Sequence, residues 1–153
     1  MESETDWKSR LADILSAFDC QTGTIHRATA GDTTLRLVCQ IGVPDALMDK
    51  ISIIPFGKGS AGAAAERREP VELCNLQQDL GGVAKPDARS TGVAGSLAVP
   101  IFAAGSGAVI GTLGIGKFAP HDFSDLEKSR LAAEAEEIAG IFAANPEPAD
   151  RGD

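Results

Sequence analysis

The first apolar residues of the chain fall at Trp7, Leu11, Ile14, Leu15 and Phe18, the offsets 0, 4, 7, 8 and 11 of one helical face. The spacing predicts a helix over Trp7 to Phe18, with Ser3 or Thr5 as its cap. Gln21 to Thr29 reads as a weak strand, and Ala30-Gly31-Asp32 as a turn. Leu35, Leu37, Cys39 and Ile41 then alternate with Arg36 and Gln40, the period of a strand with one buried face. These two segments form a first hairpin, and Cys39 on the apolar face is read as a small buried hydrophobe.

Pro44 to Lys50 suggests a short helical turn, followed by a strand at Ile51-Ser52-Ile53-Ile54, a glycine-rich stretch from Gly57 to Gly62, and a helix of small residues from Ala63 to Arg68. Val71 to Leu76 is a further short strand. Gln77 to Thr91 is a polar, glycine-containing connection of a length at which loops usually carry a function or are mobile. Two apolar runs within Gly95 to Lys117 flank Ala103-Ala104-Gly105-Ser106-Gly107-Ala108, a second hairpin. Along its second strand, period 2 places Thr112, Gly114 and Gly116 on one face and Val109, Leu113 and Ile115 on the other. A strand face lined with glycine leaves either room for a ligand or a close backbone approach. The last helix opens on Ser124 with Glu127 three residues later, a capping box, and its apolar positions Leu131, Ala135, Ile138, Ala139 and Phe142 repeat the offsets of the first helix. Asn145-Pro146 stops it.

Hairpins bring antiparallel strands, so the order predicts an α+β domain with helices on one face of a sheet. A length of 153 residues is one domain's worth. One domain over residues 1–145 is expected, with a disordered tail over 146–153. The tail is also acidic. Of the net charge of −8, residues 122–153 contribute −6, from nine acids and three bases. No basic stripe exists for nucleic acid, and the expectation is that neither nucleic acid nor a membrane is a partner. No apolar run reaches the roughly 18 residues of a bilayer span, and the first residues are acidic where a signal peptide is basic. A cytoplasmic location is expected. Cys20, Cys39 and Cys74 are odd in number and widely spaced, which fits a reducing compartment and gives no metal site.

Gly57-Lys58-Gly59-Ser60-Ala61-Gly62 spells G-x-G-x-x-G, with Asp79 at the distance of a ribose-binding acid. A dinucleotide site needs a full crossover helix, whereas about eight residues separate Gly62 from Val71, and Pro55 interrupts the preceding strand. The glycines are therefore read as a turn. His26 and His121 are the only histidines, and neither has a partner at metal or triad spacing.

The motifs taken in order resemble the GAF domain, a sensory fold related to PAS, over about Leu11 to Phe142. The pieces that carry the resemblance are Ile54-Pro55-Phe56-Gly57-Lys58-Gly59 with Gly62-Ala63-Ala64-Ala65, then Glu69-Pro70-Val71. They continue with Gly95-Ser96-Leu97-Ala98-Val99-Pro100-Ile101, Ile110-Gly111-Thr112-Leu113 and Phe123-Ser124-Asp125-Leu126. The resemblance implies an antiparallel sheet of five or six strands, terminal helices on one face, and a small-molecule pocket on the other.

One branch of that family, the free methionine-(R)-sulfoxide reductases, is enzymatic. Its cysteines would correspond here to about Ile51, Ala61 and Pro86, and its carboxylates to Ser96, Gly114 and Gly116. Without a thiolate at those places thiol chemistry has no nucleophile, so the expectation is a domain that is not an enzyme. Cyclic-nucleotide members carry Asn-Lys where this chain has Gly116-Lys117. Bilin-binding members attach through a pocket cysteine, for which Cys74 is a marginal match. No cofactor is assigned.

The resulting expectation is a stand-alone, non-enzymatic sensory domain that binds a small molecule and passes its occupancy to a partner. The expected binding residues are Ser96, Thr112, Gly114 and Gly116 on the sheet with Asp79, Lys85, Asp87, Arg89, Ser90 and Thr91 of the long connection. Lys85 and Arg89 would pair with an anionic group of the ligand. The alternatives are an interaction module with a vestigial pocket, dimerising through its terminal helices, and a reductase-like enzyme.

Overall fold

A computed structural model describes residues 6–29, 31–73 and 94–145. The elements run α1 (Trp7–Phe18), β1 (Thr22–Arg27), β2 (Thr34–Ile41), a single 3-10 turn (Asp45–Leu47), α2 (Met48–Ser52), β3 (Ile53–Pro55) and α3 (Gly59–Arg67). They continue with β4 (Val71–Leu73), β5 (Gly95–Phe102), β6 (Val109–Lys117) and α4 (Asp125–Ala144). The strands form one six-stranded antiparallel sheet in the order β3-β2-β1-β6-β5-β4. The second hairpin thus supplies one of the two central strands, and β1 lies beside it.

Both terminal helices pack on one face. Leu11, Ile14, Leu15 and Phe18 of α1 and Leu131, Ala135, Ile138 and Phe142 of α4 join Ile25, Leu97, Val99, Ile101, Leu113 and Ile115 in the main core. Burying each large aliphatic or aromatic side chain contributes about 1.5–3 kcal/mol. The helices approach the sheet closely because glycine stands under them: a Cβ at Gly23 would lie 2.8 Å from Leu15 Cδ2 of α1, and one at Gly111 would lie 3.1 Å from Phe142 Cε2 of α4. The short helix α3 packs instead on the opposite face, where Ala63 and Ala64 meet Val71 and Ala98. The helices are therefore divided between the two faces of the sheet.

Helix ends are satisfied by specific partners. Asp6 caps α1, its Oδ1 accepting from the Ser9 N–H at 3.0 Å and its Oδ2 from the Ser9 hydroxyl at 2.8 Å. Ser3 and Thr5, the expected caps, lie outside the described residues. At the other end of α1, Lys117 Nζ donates to the carbonyls of Phe18 at 2.9 Å and Asp19 at 2.8 Å. The capping box of Ser124 and Glu127 opens α4. Its last turn is held by Arg27, which donates to the carbonyls of Phe142 and Asn145.

Two irregularities depart from plain alternation. Ile25 pairs with Cys39 but His26 pairs with Leu37, so Val38 is an extra residue in β2. Ile101 pairs with Gly111 but Phe102 pairs with Val109, so Ile110 is an extra residue in β6. Each bulge exchanges the faces of the residues beyond it. Cys39 and Ile41 consequently pack against the main core, whereas Leu35 joins Ala28, Ala65 and Val109 on the α3 side. Val109 therefore does not share a face with Leu113 and Ile115, as alternation alone suggests. Ile51 and Ser52 end α2 and do not begin β3, and α3 starts at Gly59, four residues before the expected Ala63. Among the described residues no helix is long and apolar enough to cross a membrane.

Candidate ligand pocket

The face of the sheet opposite the terminal helices is built from positions that pair across β1, β6 and β5. Thr22 pairs with Gly116, Thr24 with Gly114 and His26 with Thr112; Gly116 in turn pairs with Ser96, and Gly114 with Ala98. Paired residues share a face, so these side chains form a single floor of hydroxyls, glycines and one imidazole. The loop ahead of β3 and the start of α3 close over it. The result is a cavity of about 230 Å³ lined by the floor residues other than Thr112 together with Val43, Ile51, Ile54 and the stretch Lys58 to Ala61.

Glycine keeps the space open. A Cβ at Gly114 would sit 3.1 Å from Thr24 Oγ1 with little else nearby, so its absence serves the cavity more than a packed neighbour. The glycines of the G-x-G-x-x-G stretch serve the chain path, as a turn reading requires. Gly57 and Gly59 have φ of 93° and 66°, and a Cβ at Gly62 would lie 2.6 Å from the Pro55 carbonyl oxygen.

His26 is 1 % exposed. Its Nε2 lies 2.8 Å from the Ile51 carbonyl oxygen. A carbonyl only accepts, so Nε2 carries the proton and Nδ1 presents a lone pair. Burial pushes the imidazole below its ordinary pKa, with the Ile51 carbonyl acting in the opposite sense, and the ring stays neutral at neutral pH. Nδ1 has no hydrogen-bond partner among the described residues, and the same is true of the buried hydroxyls of Ser96 and Thr112. Three unpaired buried polar atoms on one face of one sheet are unusual, since such groups cost about 1–3 kcal/mol each when left unsatisfied.

Of the site residues expected from sequence, Ser96, Gly114 and Gly116 line the cavity, and Thr112 is fully buried on the same face as the cross-strand partner of His26. Asp79, Lys85, Asp87, Arg89, Ser90 and Thr91 lie outside the described residues. Sequence reading missed Thr22, Thr24 and His26, although their period-2 spacing was a usable signal, and it missed Lys58 to Ala61 as part of a wall. Ile51 and Ala61, the described positions where the reductase branch would place cysteines, also line the cavity, so they sit where chemistry would be needed and carry no thiol. Cys20 is buried on the helix side of the sheet, and burial pushes its thiol up to about 11. Among the described residues no cluster of His, Cys, Asp and Glu could hold a metal ion.

A layered α+β domain of this order, with terminal helices on one face and a cavity on the other, defines a class of small sensory folds. The chain belongs to the GAF domain family, whose profile matches residues 4–143. No curated protein matches it by sequence. Among solved structures it is similar to the GAF domain of a phosphoenolpyruvate-protein phosphotransferase from Coxiella burnetii, with 21 % identity, a TM-score of 0.72 and coverage of 88 % of this chain and 78 % of that one. A domain assigned to a two-component sensor histidine kinase from Sinorhizobium meliloti gives 20 % identity and a TM-score of 0.71 over 95 % of both chains. The free methionine-R-sulfoxide reductase from Neisseria meningitidis, solved with its substrate, gives 23 % identity and a TM-score of 0.72 over 92 % of this chain and 80 % of that one. At these identities the likeness is one of fold.

Proposed function

We propose that this GAF domain binds a small molecule in the cavity over β1, β6 and β5 and acts by occupancy, without chemistry of its own. The observation that carries the reading is the set of buried, unpaired polar atoms on His26, Ser96 and Thr112 facing one side of a sheet whose other side is a filled core. A ligand with matching groups would satisfy atoms that the protein leaves unsatisfied. The absence of thiols and carboxylates at Ile51, Ala61, Ser96, Gly114 and Gly116 supports binding over catalysis. The interaction-module reading has weaker support, because the apolar stripes of α1 and α4 are buried against their own sheet.

Native mass spectrometry of the freshly purified protein, followed by melting curves against a broad metabolite library, tests the reading. A retained mass or a reproducible rise in melting temperature is expected. Absence of both would remove ligand sensing, and thioredoxin-coupled turnover of free methionine-(R)-sulfoxide would replace it with enzymatic function.

A further inference from the structure

The first turn of α3 forms one wall of the cavity, and it is capped against the usual rules. Its N-cap is Lys58, in extended backbone at φ −102° and ψ 128°, with no side-chain cap hydrogen bond. An N-cap side chain normally accepts from the N–H groups of the first turn, and an ammonium cannot accept. Lysine also adds positive charge at the end of the helix that is already positive. The first hydrogen bond of the helix is the Gly62 N–H to the Lys58 carbonyl at 3.0 Å. The N–H groups of Gly59, Ser60 and Ala61 therefore remain without partners among the described residues, and Lys58 has no ion pair there. All four residues line the cavity. A chain that breaks local preference in this way does so where a function compensates.

The second, independent observation lies on the floor of the same cavity. His26 is almost fully buried and lines the space, and its Nδ1 is an unpartnered acceptor whose tautomer is set by the Ile51 carbonyl. A group that meets it must donate. Among the described residues no carboxylate lines the cavity, so a donating ammonium would have no counter-charge there, and a hydroxyl or amide N–H fits better. The cavity, at about 230 Å³, is smaller than the roughly 300–1,000 Å³ typical of sites for drug-sized ligands. This size suits a small metabolite and not a nucleotide.

We infer, on the reading that this cavity binds a small molecule, that the ligand is a small organic acid: its acid group rests on the N–H groups of Gly59, Ser60 and Ala61 beside Lys58, and its hydroxyl or amide N–H donates to His26 Nδ1. The acid supplies both things the helix end lacks, an acceptor for its free donors and a negative charge beside Lys58. The hydroxyl or amide supplies the donor that the floor lacks.

The test uses the full chain and chemically matched probes. A panel of small 2-hydroxy acids and N-acyl amino acids is titrated by calorimetry beside the corresponding primary amides, the acids without hydroxyl or amide, and the free α-amino acids. At least one hydroxy or acylamino acid is expected to bind at millimolar concentration or better, with its amide and its unsubstituted analogue each weaker by about tenfold or more. The Lys58→Ser variant, which supplies a proper cap and removes the charge, is expected to melt higher than the parent protein when free, yet to lose about tenfold or more in affinity for the acid. Equal binding of an acid and its amide, or unchanged affinity in Lys58→Ser, overturns the inference. Binding confined to neutral or cationic molecules also overturns it while leaving the cavity a ligand site. If no probe binds and native mass spectrometry finds no retained ligand, the inference and the proposed function fall together.

Discussion

Arg27 grips a single residue of the last helix in two ways: its Nη2 donates to the Phe142 carbonyl at 2.9 Å, and its guanidinium carbon lies 4.5 Å from the centroid of the Phe142 ring. Nη1 adds a bond to the Asn145 carbonyl at 2.8 Å, and the indole of Trp7 packs on the same ring at 5.4 Å between centroids. One planar cation thus ends α4, fixes its last aromatic anchor and ties both to a central strand.

Replacing Arg27 should cost stability out of proportion to its position near the end of a strand. Arg27→Met is expected to lose roughly 1–3 kcal/mol in urea unfolding, through carbonyls left without donors and a lost cation–π contact. Arg27→Lys should recover little of it, because an ammonium cannot reproduce the fork that reaches two carbonyls. Full recovery by lysine would mean that charge alone matters at this site.

Two glycines of β6 should respond oppositely to alanine. Gly111→Ala drives a methyl to 2.3 Å from the His26 carbonyl oxygen and 3.1 Å from Phe142, and it should cost about 3 kcal/mol or more, or prevent folding. Gly114→Ala meets Thr24 Oγ1 at 3.1 Å and the Leu97 carbonyl oxygen at an ordinary 4.0 Å, and it points into the cavity. It should keep a melting temperature close to that of the parent protein while reducing cavity volume and weakening any bound ligand. Comparable destabilisation by both substitutions would argue against an open space above Gly114.

The buried imidazole makes stability depend on mild acid. Burial holds the folded-state pKa of His26 below the ordinary imidazole value of 6.5, so the unfolded chain binds the proton more readily than the folded one. Its neutral form favours folding fully above about pH 6.5, and stability declines as pH falls from there toward the lowered folded-state value. Melting temperature should therefore drop between about pH 7 and 5, and the drop should be smaller in His26→Gln. The lowered carboxyl groups of Glu72 and Glu127 start from 4.5 and act below this window. An unchanged slope in the variant would place the mild-acid sensitivity elsewhere.

Cys20 should be inert in the native protein. With its thiol raised to about 11 by burial, thiolate is scarce at neutral pH, and the Sγ lies 3.6 Å from the Phe18 carbonyl oxygen. Peptide mapping after brief alkylation at about pH 7.5 should find Cys20 unmodified, and fully modified once denaturant is added. Rapid labelling under native conditions would contradict its burial.

Much of the architecture was legible from periodicity, because its longest elements are also its most regular. Trp7–Phe18 and Asp125–Ala144 carry unbroken helical stripes, and the hairpin from Gly95 to Lys117 has glycines where its turn needs positive φ, at Gly105 and Gly107. The half of the floor on β6 and β5 followed from the same alternation. The half on β1 did not, because Thr22 and His26 are polar yet buried and Thr24 is half-buried, and polar alternation in a short strand looks like solvent exposure until its partner strands are known. The wall at Lys58 to Ala61 was hidden by its glycines, which are explained as a turn and leave no reason to ask what the helix end faces. The faces of Leu35 and Val109 were misread because a bulge depends on pairing between distant strands and leaves no local mark.

Those bulges also act as a lock on strand registry during folding. Because Val38 and Ile110 each insert one residue, an aligned strand that slips by one position would mend one side of its bulge while turning Leu35 or Val109 away from Ala28 and Ala65 and into the helix side. A slipped pairing of either long hairpin therefore loses the burial of Leu35 or Val109, which favours the native registry in a sheet rich in glycine and threonine, where side-chain size alone aligns strands poorly.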